Sequence, residues 1–273
     1  MNARTEVVFD FGRNWQSFVR AGVDERKIES ARHSLRHLLG VSDLNGRSFL
    51  DIGCGSGLSS LAAVSLGARP VIGFDADPGS LAASAELRAS AGIDAGTWQL
   101  LEGSILDPSF LATLGNADVV HAWGSLHHTG ALWQAIDNAC ELVACEGLLV
   151  LAIYNDVDGI GGSAEWRRIK SWYSRAPRAL RLLMEWAYIA QRATCDLLAL
   201  RNPAARLRGE MCERGMDFRV DVRDWLGGLP YEYASALAVV ERVQGKLGFE
   251  LCYLNAVQGH SCNEFTFRRP SPR

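Results

Sequence analysis

Three glycines at alternate positions, Gly53, Gly55 and Gly57, follow a short apolar run and precede small helix-forming residues in FLDIGCGSGLSSLAA (49–63). A strand that runs through such a loop into a helix aims backbone N–H groups and the helix N-terminus at a ligand, and the missing Cβ atoms let that ligand approach. The chemistry is that of holding a nucleotide-like molecule. The dinucleotide pattern is G-x-G-x-x-G, whereas here the third glycine comes one position early and Asp51 precedes the first, which argues against a pyrophosphate. Asp75 closes the next apolar run, 22 residues after Gly53, where a carboxylate in this topology accepts hydrogen bonds from ribose hydroxyls. An adenosine-containing ligand satisfies both observations.

A second group of reactive side chains is His127 and His128, which follow another apolar run with Trp123 in DVVHAWGSLHHTG (118–130). Histidine titrates near neutrality, so either is a candidate for proton transfer, the alternative being that it shapes the ligand pocket or the next helix start. Adjacent histidines rarely converge on one ion and no carboxylate stands at helical spacing beside them, so no metal is expected. Tyr154, Trp225, Tyr231 and Glu232 are candidates to line a substrate pocket, with a plain aromatic cluster at the edge of the core as the alternative. His260 and Cys262 invite a nucleophile reading, but the pair is expected in or beside a hairpin turn, facing the sheet edge.

These residues need elements to position them. From about 48 to 154, short apolar runs at 48–52, 70–75, 97–102, 117–122 and 147–154 alternate with helical stretches, the pattern of consecutive βαβ units and a parallel sheet covered on both faces. The helix before the fifth run is expected over about 131–144, and Asp77-Pro78 reads as the cap and first position of another. Runs at 249–257 and 263–269 are separated by a turn too short for a helical crossover, which predicts an antiparallel hairpin. The expected fold class is therefore α/β, a doubly wound seven-stranded sheet of Rossmann-like form with a terminal antiparallel hairpin. An N-terminal helical extension (1–44) carries the aromatic run FDFGRNW (9–15) with Phe9, Phe11 and Trp15, then a helix over about 25–39. A core follows at 45–157, a helical insert at 158–222 with apolar residues three to four apart, and the C-terminal part of the core at 223–273.

The whole chain has 273 residues, 28 Lys plus Arg against 31 Asp plus Glu, and no global positive field to hold a polyanion, so nucleic acid is a disfavoured partner. The insert differs: between Glu165 and Arg214 it carries 11 basic and 5 acidic residues, either a solvated polar face or a docking surface for an acidic partner. Seven scattered cysteines without a C-x-x-C pair, the absence of a long uncharged apolar stretch and a charged N-terminus place the chain in a reducing cytoplasm with neither signal peptide nor membrane span.

The motif D-x-G-C-G-S-G, the acidic end of the second run and DVVHAWGSLHHTG together resemble the class I S-adenosylmethionine-dependent methyltransferases, over about 45–157 and 236–269. The stretches FGRNW, AIYND, DWLGGLPYE and HSCNEFTFRR resemble a recurrent bacterial subgroup of that family. The resemblance implies S-adenosylmethionine as cofactor and S-adenosylhomocysteine as product. The methionyl part would be surrounded by Gly53, Cys54, Gly55 and Gly57 with Asp51 nearby, the ribose held by Asp75, and the adenine flanked by Ala76 and Ile105. Ser104 stands where many members carry an acidic residue near the adenine amino group. Trp123 would border the cofactor and Trp15 fold over it as a lid. The implied activity is in-line O- or N-methylation of a small or medium-sized metabolite, and the insert would serve as a cap or as the arm of a homodimer. Competing readings are a non-catalytic S-adenosylmethionine-binding regulator, a methyltransferase acting on tRNA or a carrier-bound substrate, and an NAD(P)-dependent oxidoreductase.

Overall fold

The computed structural model describes residues 10–199, 202 and 218–271. Its centre is one sheet of β1 (Phe49–Ile52), β2 (Val71–Asp75), β3 (Trp98–Glu102), β4 (Ala117–Trp123), β5 (Val143–Tyr154), β6 (Glu250–Asn255) and β7 (Cys262–Arg268), in the order β3-β2-β1-β4-β5-β7-β6. The first five strands are parallel, and β7 runs antiparallel to both β5 and β6. The doubly wound sheet with a terminal hairpin is thus the observed fold. A central parallel strand must be apolar on both faces, and residues 147–154 of β5 are all buried.

The sheet separates two cores. On one face Leu50, Ile52, Val120, Leu151 and Phe265 pack against α6 (Leu132–Glu141). On the other, Phe49, Val71, Val119 and Val150 meet α2 (Glu25–Leu39), α3 (Leu58–Ser65) and α4 (Pro78–Ser90). The strand order reverses at β1, between β2 and β4, so the carboxyl ends of β1 and β4 open the crevice in which such sheets bind ligands.

The remaining helices cover that crevice or flank the sheet: α1 (Phe11–Arg20), the short α5 (Pro108–Leu111), α7 (Ser163–Arg175), α8 (Arg178–Leu198), α9 (Phe218–Gly227) and α10 (Ala236–Val240), the last continuing as wider turns over 241–246. Tyr173, Val222 and Leu226 join α7, α8 and α9 with Met184 and Ile189, and α9 also lies against α1. Among the described residues no helix is long and apolar enough to cross a membrane.

Two sequence-based boundaries move. The helix expected to run to about 144 stops at Glu141, and β5 starts at Val143, because Val143 pairs with Ala117 before the register shifts at a bulge that contains Glu146 with φ 62°. The boundary drawn between 222 and 223 falls inside α9, whose Val222 and Leu226 belong to one packed cluster. Phe9 lies outside the described residues, as does part of the insert.

Candidate cofactor and acceptor site

At the end of β1 the chain turns through Gly53 and Gly55, with φ of 67° and 57°, and enters α3 at Gly57. These are left-handed values that L side chains rarely adopt. A Cβ on Gly53 would stand 2.5 Å from the Ser125 Cβ, and one on Gly55 would stand 2.9 Å from Trp15 Nε1. The loop is therefore clasped between Ser125, after β4, and Trp15, on α1. Ser125 Oγ donates to the Ile52 carbonyl at 2.7 Å, which ties the ends of β1 and β4 together.

Asp75 sits beside this loop. Its carboxylate accepts from the backbone N–H of Gly55 at 3.1 Å and of Asp77 at 2.9 Å. Burial, only partly offset by those two hydrogen bonds, lifts its pKa to about 6. The neighbouring Cys54 thiol is pushed well above its usual range by burial and by the charges of Asp51 and Asp75, so it stays protonated. Asp51 is itself buried, accepting from Ser60 Oγ at 2.6 Å and lying 2.9 Å from His121 Nδ1. The Cβ-free cradle and an acidic group at the end of β2 fit an adenosyl ligand whose ribose hydroxyls donate to Asp75.

On the adenine side Ala76 is exposed, while the Ser104 hydroxyl is already engaged, accepting from the Leu106 N–H at 3.1 Å. Ile105 packs in the core under the sheet, with its carbonyl accepting from Asn138 Nδ2 at 2.7 Å. Trp123 borders the cleft and donates its indole N–H to Glu264 at 2.9 Å.

The N-terminal helix lies across the same mouth. The Gly12 N–H donates to Asp77 Oδ2 at 2.6 Å, and a Cβ there would collide with Gly79, so only glycine lets α1 sit this close to the start of α4. Phe11 meets the His128 ring with 4.9 Å between centroids. Trp15→Ala is expected to weaken S-adenosylhomocysteine binding about threefold to tenfold, through loss of apolar wall, and also to lower the melting temperature, because Trp15 packs on Phe18 and the core beneath α1. Calorimetric titration checks it, and unchanged affinity would remove Trp15 from the site.

His127 and His128 lie behind Tyr154 and do not line the cleft, and His127 has no exposed surface. His128 Nδ1–H donates to the Pro230 carbonyl at 2.7 Å, while the Tyr154 N–H reaches His127 Nδ1 at 3.4 Å. Burial lowers the pKa of His128 to about 3 and carries His127 well below its ordinary value. Both imidazoles are neutral at physiological pH. The pocket-shaping alternative fits this environment better than proton transfer, because a base this weak takes up few protons near pH 7.

Tyr154 and Trp225 line the cleft, and Tyr231 is buried behind them with its carbonyl held by Arg167. Glu232 is a correction: instead of facing a substrate pocket, its carboxylate accepts from the Leu132 N–H at 3.0 and 3.2 Å and caps α6. Glu232→Ala is expected to lower stability by about 1 kcal/mol, as for other lost helix caps, with kcat and KM unchanged; a rise in KM alone would return the residue to the pocket.

Sequence reasoning missed Lys170. It is fully buried, donates to the Trp225 carbonyl and lies over the rings of Trp225 at 4.2 Å and Tyr231 at 4.7 Å. The signal was its spacing: Trp166, Lys170 and Tyr173 stand four and three residues apart, on one helix face. Burial pushes its pKa down to about 7.

Comparison with known proteins agrees with this geometry. A methyltransferase-domain family model matches residues 50–149. Ribosomal protein L11 methyltransferase from Xanthomonas euvesicatoria is 48% identical over 61 residues, 22% of this chain and 20% of that protein, so the chain matches only about a fifth of this relative's length. An O-methyltransferase family protein from Burkholderia thailandensis superposes with a TM-score of 0.55 at 13% identity, over 90% of this chain and 58% of the other. Magnesium protoporphyrin IX methyltransferase from Synechocystis PCC 6803, with bound S-adenosylhomocysteine, gives 0.52 at 14% identity, over 92% and 87%. Residues 50–149 are thus similar to a methyltransferase domain, and the chain as a whole shares the fold of the two solved methyltransferases.

Proposed function

We propose that the protein transfers a methyl group from S-adenosylmethionine to an oxygen or nitrogen of a small or medium-sized metabolite. The observation that carries this reading is one continuous cleft of about 1750 Å³ that runs from Gly53 and Gly55 to an aromatic chamber under α7 and α9. Single-ligand pockets span roughly 300–1000 Å³, so the cleft has room for more than one ligand group, while Asp75, Ala76, Ser104 and Ile105 lie outside its lining. When bound, S-adenosylmethionine supplies a methyl carbon already activated by its sulfonium, which leaves alignment and exclusion of water to the protein. In this reading the Gly53–Gly55 backbone receives the methionyl part, Asp75 accepts from the ribose, and Trp15 closes the outer side. His127 and His128, packed behind Tyr154, fix the ring that lines the acceptor side.

The name of one solved structure of the same fold, magnesium protoporphyrin IX methyltransferase, supports a small-molecule acceptor, whereas the similarity to ribosomal protein L11 methyltransferases covers too little of those enzymes to support a protein substrate. Six free cysteines among the described residues support a reducing compartment such as the cytoplasm. The test is incubation with S-adenosylmethionine and a fractionated extract of the source cells, reading S-adenosylhomocysteine formation by mass spectrometry. The reading requires turnover with the low-molecular-weight fraction. Turnover only with the macromolecular fraction would contradict it.

A further inference from the structure

We propose that the outer side of the cap formed by α7 and α8 docks on the surface of an anionic phospholipid bilayer. Twelve large apolar side chains are exposed among the described residues, and eight of them fall between Ile160 and Leu198. Single exposed apolar residues are ordinary, but their concentration on one part of a surface marks a contact site. On α8, Leu183, Trp186, Ala190, Ala193 and Leu197 follow one another at three- and four-residue spacing and so form one stripe along the helix, with Leu182 beside it. Leu183 and Trp186 are 64% and 54% exposed. A different side of the helix packs inward: Ile189 joins the cluster of Tyr173, Val222 and Leu226, and Glu185 accepts from the Tyr173 hydroxyl at 2.8 Å.

The charges beside these side chains select the occupant. On α7, Trp172 is 74% exposed and stands four residues after Arg168 and three before Arg175, so an exposed arginine lies one turn to either side of the indole. From 160 to 198 the exposed arginines are Arg167, Arg168, Arg175, Arg178 and Arg192, against one exposed carboxylate, Glu165. Tryptophan and leucine enter the boundary between headgroups and acyl chains while neighbouring arginines meet the lipid phosphates. A bilayer also takes in side chains that protrude from a surface without needing a shaped partner, and Ile160 and Leu198 protrude most of all. A second copy of this chain fits less well, because 165–214 carries 11 basic and 5 acidic residues and would be set against itself. Met184 and Tyr188, on an adjacent side of α8, line the cleft, so docking sets the cleft beside the lipid.

The experiment is co-sedimentation of the full chain with vesicles of phosphatidylcholine alone and of phosphatidylcholine mixed equally with phosphatidylglycerol, with the oligomeric state followed by analytical ultracentrifugation. The expected result is partitioning onto the anionic vesicles about tenfold or more above the neutral ones, most of it lost at about 1 M salt, where charges are screened within about 3 Å. Leu183→Ser with Trp186→Ser, and separately Arg168→Gln with Arg175→Gln, should each lower that partitioning about tenfold or more. Melting temperatures should stay at the wild-type value, because all four side chains are exposed; a merely structural role would lower melting and leave partitioning intact. Equal binding to both vesicles, binding to neither, or variants that bind like the wild type each overturns the proposal. So does a dimer that Leu183→Ser with Trp186→Ser converts to monomer, since the stripe would then be a contact between two copies. None of these outcomes bears on the methyltransferase reading, which S-adenosylhomocysteine binding tests separately.

Discussion

Asp75→Asn is expected to lower S-adenosylhomocysteine affinity by about 10- to 100-fold, the roughly 1–3 kcal/mol of a buried hydrogen bond to a charged group. The pH dependence identifies the cause. Burial raises the Asp75 pKa from 3.8 to about 6 in the folded protein, and ribose hydroxyls donate to the ionised form. Affinity in the wild type should therefore fall as pH drops through about 6, and the asparagine variant should show no such step. Stability runs the other way. A folded pKa above the unfolded one stabilises the cofactor-free protein fully below about 3.8 and loses that contribution as pH rises through about 6. Above pH 6, cofactor-free Asp75→Asn should thus melt at or above the wild-type temperature while binding worse. An unchanged dissociation constant would mean that the ribose is held elsewhere.

Asp51→Ala should produce the largest loss of stability. Its carboxylate is buried between Ser60 Oγ at 2.6 Å and His121 Nδ1 at 2.9 Å, and truncation leaves both partners without an acceptor in the sheet. A loss of about 3 kcal/mol is expected for unpairing buried groups of this kind, or about 6–12 °C in melting temperature for a chain of this size. Circular dichroism melts check it. Asp51→Asn, which keeps the shape and one acceptor oxygen, should lose clearly less. If the alanine variant melts like the wild type and only cofactor affinity falls, Asp51 acts on the ligand and not on the sheet.

The parts of the site carried by local pattern were legible in the sequence. The glycine loop, Asp75 and Asp77-Pro78 are short-range signals, because the turn and the helix start are made by neighbouring residues, and the parallel core and the closing hairpin follow from βαβ repetition and a short turn, whereas the order of the strands is tertiary information. The bulge at the start of β5 was not legible, since Val143 is strand only through its pairing with Ala117. Glu232 was misplaced for a similar reason: a carboxylate among aromatic residues reads as a pocket group until the fold sets it at the start of α6. The Asp51–His121 contact had a signal, because both are polar residues within apolar runs and stand opposite each other in the β1–β4 register, but that register is tertiary information. Lys170 is the clearest case. Its helix spacing shows which face it shares with Trp166 and Tyr173, but only the packing of α7 on α9 shows that this face buries its charge.

The most direct test of the central claim is calorimetric titration of the purified protein with S-adenosylhomocysteine, followed by NADH. One saturable site for S-adenosylhomocysteine and no saturable NADH binding is the predicted result. Saturable NADH binding without S-adenosylhomocysteine binding would contradict the account, because the loop of Gly53, Gly55 and Gly57 would then hold a dinucleotide.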